Sequence, residues 1–190
     1  DVHIPYGTFN YASLLTLTTP GRYYGDGFYA ALAPAAGFTG NNLHIAPSPA
    51  VAFFAASVEG FTIGNPANGT RAGAHGVYLD TTAAGTYACK LTLRNMSILS
   101  GSGNAFYAQN DPANNPNGGT YGLSLDNNLL YGGVSLISTG DSNTVHKNII
   151  TGENTGVYAS NVTGASMLTV QDNNITTTGG SFKVDAGSRF

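Results

Sequence analysis

The residues best suited to acid/base chemistry share one position in a segment that the chain repeats. Arg94, Asp126 and His146 each lie four residues before the last apolar residue of their copy, and Gln171 holds this position in a further copy. A carboxylate beside an imidazole can move a proton, and an arginine beside them can hold a ligand carboxylate through two hydrogen bonds. We therefore predict Asp126, His146 and Arg94 as catalytic residues. The alternative is an exposed charge ladder worth less than about 1 kcal/mol per pair.

A second repeated segment supplies aromatic and polar side chains that could contact a ligand. Tyr78, Tyr107 and Tyr158 share its central position, and Asp80 and Gln109 lie two residues after it. A flat ring can stack on the apolar face of a sugar while amides and carboxylates bind the hydroxyls, so we predict these five residues as substrate-binding. The sequence leaves open the alternative that the rings pack on their neighbours in adjacent repeats. The copies are GVYLD (76–80), AFYAQ (105–109), GVSLI (133–137), GVYAS (156–160) and SFKVD (181–185).

A repeat of roughly 20 to 35 residues positions both sets of side chains. Self-similarity at such a period is typical of solenoid proteins. Each repeat has short alternating strand patterns and Gly/Asn turns without helical periodicity, which favours a β-helix over a leucine-rich repeat. We therefore predict an all-β parallel β-helix of about six or seven coils, stacked about 4.8 Å apart. The first segment occurs as LTLRNMSI (91–98), LSLDNNLL (123–130), NTVHKNII (143–150), LTVQDNNI (168–175) and, more loosely, ASVEGFTI (56–63).

Alternation within each strand predicts which columns of the aligned repeats face the core. Two residues before the last apolar position stand Asn128, Asn148 and Asn173, with Met96 in the first copy. Stacked asparagines at a turn can hydrogen-bond along their column and tolerate left-handed backbone, so we interpret them as structural. The residues predicted to point inward are Leu91, Leu93, Ile98, Leu123, Leu125, Leu130, Val145, Ile150, Leu168, Val170 and Ile175.

The chain is predicted to be one β-helix domain, residues 1–190. We expect residues 1–50 to form opening strands and an irregular first coil, and residues 51–190 to form the regular coils. The run AALAPAA (30–36) predicts at most a short helical turn, because Pro34 limits a helix. Open solenoid ends expose unpaired backbone and apolar core, so we expect a module of a longer chain or ends covered by partner subunits.

Composition argues against several functional classes. Charged residues make up 9% of the chain, against roughly 25% in an ordinary soluble domain. The few Lys and Arg residues form no basic stripe, so we expect no nucleic-acid partner. No apolar run approaches the roughly 18 residues that cross a bilayer, so we expect no membrane insertion. The single Cys89 rules out an intrachain disulfide and a Cys-based zinc site, and we expect no metal or cofactor. His3, His44 and His75 lie singly, which favours structural roles.

The opening segment VHIPYGTF (2–9) resembles the start of pectate-lyase-like right-handed parallel β-helices. The repeats that end in DNNI and HKNII resemble the coils of the same superfamily, over most of the chain. The low charge and the Gly/Asn/Thr/Tyr-rich surface are similar to those of phage tailspike and receptor-binding proteins. The resemblance implies a right-handed solenoid, a homotrimer, a location on the virion tail or another extracellular site, and bacterial surface polysaccharide as the partner.

The enzymes of this superfamily imply features that the sequence does not share. A pectate lyase would have a calcium site of clustered aspartates and an arginine base, whereas the acids here are scattered and only Arg94 lies on a repeated face. A polygalacturonase-like hydrolase would have an Asp-Asp dipeptide, and none is present. We therefore predict a carbohydrate-recognising module of a tailspike-like protein. The alternatives are a polysaccharide lyase or glycoside hydrolase, with Asp126 and His146 as acid/base groups and Arg94 on the substrate, and a structural spacer or adhesin stalk.

Overall fold

The chain folds into a right-handed parallel β-helix of about seven coils, as predicted. The computed structural model describes residues 1–49, 53–64, 74–116, 118–160 and 168–185. The regular structure of these residues consists of 24 short strands, and neighbouring strands pair in parallel. The described residues contain no helix long and apolar enough to cross a membrane.

Three seven-stranded sheets, A, B and C, run along the solenoid. A fourth sheet, D, has three strands, and each of them comes just before a strand of sheet A in the chain. Sheet A contains β1 (Val2–Ile4), β4 (Arg22–Gly25), β8 (Ser57–Glu59), β12 (Thr92–Arg94), β16 (Ser124–Asp126), β19 (Thr144–His146) and β22 (Thr169–Gln171). Sheet B contains β2 (Gly7–Tyr11), β5 (Ala30–Pro34), β9 (Thr62–Ile63), β13 (Ser97–Leu99), β17 (Leu129–Tyr131), β20 (Ile149–Gly152) and β23 (Asn174–Thr177). Sheet C contains β3 (Thr16–Leu17), β6 (Leu43–Ile45), β10 (Val77–Thr81), β14 (Phe106–Asn110), β18 (Val134–Ile137), β21 (Val157–Ser160) and β24 (Phe182–Val184). Sheet D contains β7 (Phe53–Phe54), β11 (Tyr87–Cys89) and β15 (Gly119–Tyr121).

Each copy of the first repeated segment folds as two strands with a sharp turn between them. In LTLRNMSI, the turn from β12 to β13 places Asn95 in the left-handed region, with φ of 54°. In each copy, the left-handed residue directly precedes the member of the asparagine column. The stacked asparagines therefore do not have the left-handed backbone conformation themselves. Glycine, asparagine and aspartate adopt this conformation most readily, and they fill most of the equivalent sites. These sites are Gly60, Asn127, Lys147 and Asp172.

Asn128, Asn148 and Asn173 form the predicted ladder at this turn. The side-chain amide of Asn128 donates to Oδ1 of Asn148 at 3.0 Å, and that of Asn148 donates to Oδ1 of Asn173 at 3.0 Å. Each Oδ1 also accepts a backbone N–H from the preceding coil, as Asn128 does from Met96 at 3.0 Å. The asparagines therefore satisfy backbone groups that the turn removes from the sheets, and the structural interpretation is confirmed.

The columns predicted to point inward fill the core. The eight inward residues from Leu91 to Ile150 are at most 1% exposed, and Leu168 is buried as well. Val170 and Ile175, in the last described coils, are partly buried and pack against the same cluster. Full burial of one such side chain stabilises the fold by about 1.5–3 kcal/mol, so the stacked apolar columns are the main source of stability.

Residues 1–45 already supply two strands to each of the three long sheets. The predicted boundary at residue 50 lies outside the described residues. The prediction of a short helical turn in AALAPAA is wrong, since Ala30–Pro34 is strand β5. It pairs with β2 on one side and β9 on the other, and this two-sided pairing outweighs the helix preference of alanine.

Replacing Asn148 with leucine is expected to lower the free energy of unfolding by about 3 kcal/mol, because each buried polar group left without a partner costs about 1–3 kcal/mol. Asn148 is buried and donates to Leu125 O at 2.9 Å as well as to Asn173. Urea unfolding followed by circular dichroism measures the loss. Asn174→Leu, at an exposed site in the neighbouring coil, is the control. Equal stability of the two variants would contradict the role of the ladder.

Candidate functional site

The outer face of sheet C brings the predicted ligand-contacting residues into one column. Strand pairing places Tyr78 beside Tyr107, and Ser135 between Tyr107 and Tyr158. Strand β6 adds His44 on the other side of Tyr78. The predicted alignment of the second repeated segment is therefore confirmed, and the column is longer than the sequence repeats indicated.

The rings in this column stack on one another. His44 and Tyr78 lie parallel, with centroids 5.1 Å apart and an interplanar angle of 4°. Tyr107 stacks in the same way on His75, with centroids 4.3 Å apart at 8°, and lies 5.5 Å from Tyr78 at 42°. Coils about 4.8 Å apart impose such contacts on rings that share a column. The faces of Tyr78 are thus turned toward its neighbours, while ring edges and hydroxyls face outward.

His44 and His75 belong to this surface although the sequence predicted isolated structural roles for them. The backbone N–H of Asn104 donates to Nδ1 of His75 at 3.0 Å, so a neutral His75 ring carries its proton on Nε2. Burial lowers the pKa of His75, which favours this neutral form. One signal pointed to His44: the strand Leu43–Ile45 has the same alternation as Val77–Leu79, with His44 at the tyrosine position.

Polar groups run beside the ring column. Oε1 of Gln109 lies within reach of both the Tyr78 and Tyr107 hydroxyls, which donate to it at 3.4 and 3.3 Å. Asp80 Oδ1 accepts from the backbone and the hydroxyl of Thr82 at 3.0 and 2.7 Å. Burial raises the pKa of Tyr78 to about 12, so its hydroxyl stays protonated at neutral pH. We define the aromatic face as His44, His75, Tyr78, Tyr107 and Tyr158 with Asp80 and Gln109.

The aromatic face is a platform and not a cleft. Ser135, whose position lies between Tyr107 and Tyr158, is only 2% exposed. The hydroxyl of Tyr158 donates to Asp185, and the Lys183 ammonium lies 5.1 Å from the Tyr158 ring centroid. A ligand would therefore meet a shallow surface of ring edges, hydroxyls, amides and carboxylates.

The charged residues of sheet A also share a column, and the predicted neighbours are adjacent. Strand pairing runs from Glu59 through Arg94, Asp126 and His146 to Gln171. We call Glu59, Arg94, Asp126 and His146 the charge column. Asp126 Oδ1 lies 3.0 Å from His146 Nδ1, so the predicted carboxylate–imidazole pair is formed.

Arg94 turns away from this pair and binds a residue that the sequence did not single out. Its Nε donates to Glu59 Oε2 at 2.5 Å, and Nε of Arg22 donates to Oε1 of the same carboxylate. Burial alone would raise the pKa of Glu59, but the hydrogen bonds from Arg94 and Arg22 outweigh it and lower the pKa. The two arginines therefore hold a buried carboxylate in its charged form.

Both ring nitrogens of His146 are engaged. While Nδ1 contacts Asp126, Nε2 lies 3.3 Å from Oδ2 of Asp172. A protonated ring can donate to both carboxylates, whereas a neutral ring can donate to only one. Proton transfer to a ligand would require one of these contacts to break. The catalytic roles of Asp126, His146 and Arg94 stay predictions.

No protein-family model, curated protein or solved structure matches the chain. The parallel β-helix is therefore established by the strand pairing itself. Among the described residues, no group of three or more His, Cys, Asp or Glu side chains is placed to hold a metal ion. Function must be inferred from the chemistry of the aromatic face, the charge column and the surface around them.

Glu59→Gln is expected to lower the free energy of unfolding by about 2 kcal/mol at pH 7, since it weakens two charge-assisted hydrogen bonds. The effect should depend on pH. A carboxyl whose pKa is lower in the folded protein stabilises the fold above its unfolded pKa, and this contribution disappears as pH falls through the folded value. The difference between wild type and variant should therefore be constant above the usual carboxyl pKa of 4.5 and shrink below it.

Urea unfolding at several pH values between neutral and acid measures this difference. Glu153→Gln, at an exposed site, is the matched control and should follow the wild type at every pH. A Glu59→Gln deficit that stays the same in acid would show that the charge of Glu59 does not stabilise the fold.

Proposed function

We propose that this chain is a carbohydrate-recognising β-helix module and that the aromatic face contacts the sugar. The supporting observation is that sheet C combines a row of four contacting rings, His44, Tyr78, Tyr107 and His75, with a parallel row of amide and carboxylate groups. The stack fixes the rings before any ligand arrives, so little side-chain entropy is lost on binding. A rigid platform of ring edges, hydroxyls, amides and carboxylates suits the closely spaced hydroxyls of a saccharide.

The ring stack assigns different tasks to the members of the aromatic face. Tyr78 lies between His44 and Tyr107, so its main contribution is to hold the stack. Gln109 and Tyr107 lie at the polar edge, where a sugar hydroxyl could exchange hydrogen bonds with them. A long polysaccharide lying along the solenoid would meet similar groups on successive coils, about 4.8 Å apart.

We further propose a tailspike-like role, with bacterial surface polysaccharide as the ligand and a virion tail or another extracellular site as the location. The charge-poor surface, rich in Gly, Asn, Thr and Tyr, supports a neutral or weakly charged polymer as partner. An array of capsular polysaccharide and lipopolysaccharide preparations, probed for binding of the protein, tests the proposal directly.

Tyr107→Ala and Gln109→Ala are each expected to weaken binding to the recognised glycan about tenfold, because each removes a direct contact worth about 1.4 kcal/mol. Biolayer interferometry on the array hit measures the change, with unfolding curves to verify that the variants fold. Gln171→Ala, an exposed glutamine on sheet A, is the matched control and should bind as the wild type does. Intact binding by both Tyr107→Ala and Tyr158→Ala would remove the aromatic face as the site.

A homotrimer is proposed as the assembly. Tyr6 and Tyr29 are exposed with ring centroids 6.0 Å apart, and exposed tyrosines are enriched in protein–protein interfaces. Light scattering should give a trimer mass at micromolar concentration, and the double variant Tyr6→Ser, Tyr29→Ser should shift it toward the monomer. A monomer mass for the wild type would contradict the proposed assembly.

A second function, cleavage of the polysaccharide, is favoured by one observation, the contact between Asp126 and His146. New reducing ends or an unsaturated-uronate absorbance after incubation would indicate a hydrolase or a lyase. Asp126→Asn should then abolish the product, and undiminished cleavage by that variant would remove Asp126 from the mechanism.

A further inference from the structure

We infer that a groove along the turn between sheets A and B is a second saccharide site, one that selects a sugar carrying a carboxylate. The groove has a volume of about 450 Å³, within the range of about 300–1,000 Å³ that small-ligand sites occupy. It lies apart from the aromatic face, which is on sheet C. We define the turn groove by Phe28, Asn95, Asn127, Leu129, Lys147 and Ile149.

The backbone of the turn groove is held in place coil by coil. The left-handed residues donate their N–H groups to the next coil, Asn95 to Asp126 O at 3.3 Å and Asn127 to His146 O at 3.1 Å. The segment that carries Phe28 is fixed as well, since the Thr62 hydroxyl donates to Phe28 O at 2.8 Å. The walls are therefore preorganised, which reduces the entropy lost when a ligand binds.

The apolar side chains that line the groove are exposed. Phe28 is 55%, Leu129 41% and Ile149 49% exposed. Leu129 and Ile149 are paired neighbours that point out of sheet B. Phe28 lies outside the strands and makes no ring contact with another described aromatic side chain. Its ring is available for the apolar face of a pyranose, whereas Tyr78 and Tyr107 each lie against two neighbouring rings.

Two amides add hydrogen-bonding groups to the groove. The side chain of Asn127 donates to Oδ1 of Asn95 at 2.7 Å, which fixes the orientation of both amides. Nδ2 of Asn95 and Oδ1 of Asn127 have no partner within the described residues, so a donor and an acceptor lie side by side. Two adjacent sugar hydroxyls present the matching pair.

The ammonium of Lys147 sets the charge preference. The neighbouring carboxylates are occupied, since Glu59 binds two arginines and Asp126 and Asp172 both contact His146. Lys147 makes no ion pair in the part of the chain that the structure describes. A carboxylate on the ligand would supply its counter-charge. An apolar ring face, vicinal hydroxyls and a carboxylate together describe a uronic acid unit.

Titration calorimetry with a short oligosaccharide of glucuronic acid, and with its methyl ester as the uncharged counterpart, tests the inference. The wild type should prefer the acid, and the preference should fall at high salt. Lys147→Gln should weaken binding of the acid about tenfold and leave the ester unchanged. Phe28→Ala should weaken both, because both share the ring contact.

Lys90→Gln is the matched control, since Lys90 is also exposed and has the same φ of 54° on a different turn. It should bind both probes as the wild type does. Absence of binding, equal affinity for acid and ester, or equal losses in Lys147→Gln and Lys90→Gln would overturn the inference.

Discussion

The parallel, in-register pairing of each coil with the next is the constraint on which this structure depends. It places every side chain about 4.8 Å from the side chain at the same position of the neighbouring coil. A residue type is therefore acceptable only if it can pack or bond with its equivalents along the solenoid. Leucine on leucine satisfies this in the core, asparagine on asparagine at the turn, and imidazole on phenol on the outer face of sheet C.

The same constraint explains how the few charges of the chain are distributed. A column of like charges would repel at this spacing, and the charge column alternates in sign from Glu59 through Arg94 to Asp126, with the imidazole of His146 next in line. Pairing within the column leaves few charged groups for a ligand. Glu59, held between Arg22 and Arg94, serves the fold in this way. Lys147 differs because it belongs to the turn and not to the column.

Period and alternation made much of the fold predictable from the sequence. They identified the inward columns, the asparagine ladder and the adjacency of Asp126 and His146, because all three follow from the alignment of repeats. They did not identify the partner that Arg94 would choose, although ASVEGFTI (56–63) carries Glu59 at the same position. Strand pairing offers Arg94 two neighbours in its column, Glu59 and Asp126, and alignment alone does not choose between them. The second arginine on Glu59, Arg22, reaches it from the register position of Ser57, which no alignment of columns predicts.

Other residues of the turns escaped prediction for a different reason. Alternation assigns a direction to strand residues only, so it says nothing about Asn95, Asn127 or Lys147, and His75 joins the tyrosines from a turn. This distinction also affects binding. Rings inside a column use their faces on one another, so the aromatic face can offer chiefly edges and polar groups. A ring outside the columns, such as Phe28, keeps its face open to a ligand, which is why the turns of a charge-poor solenoid can carry the more selective chemistry.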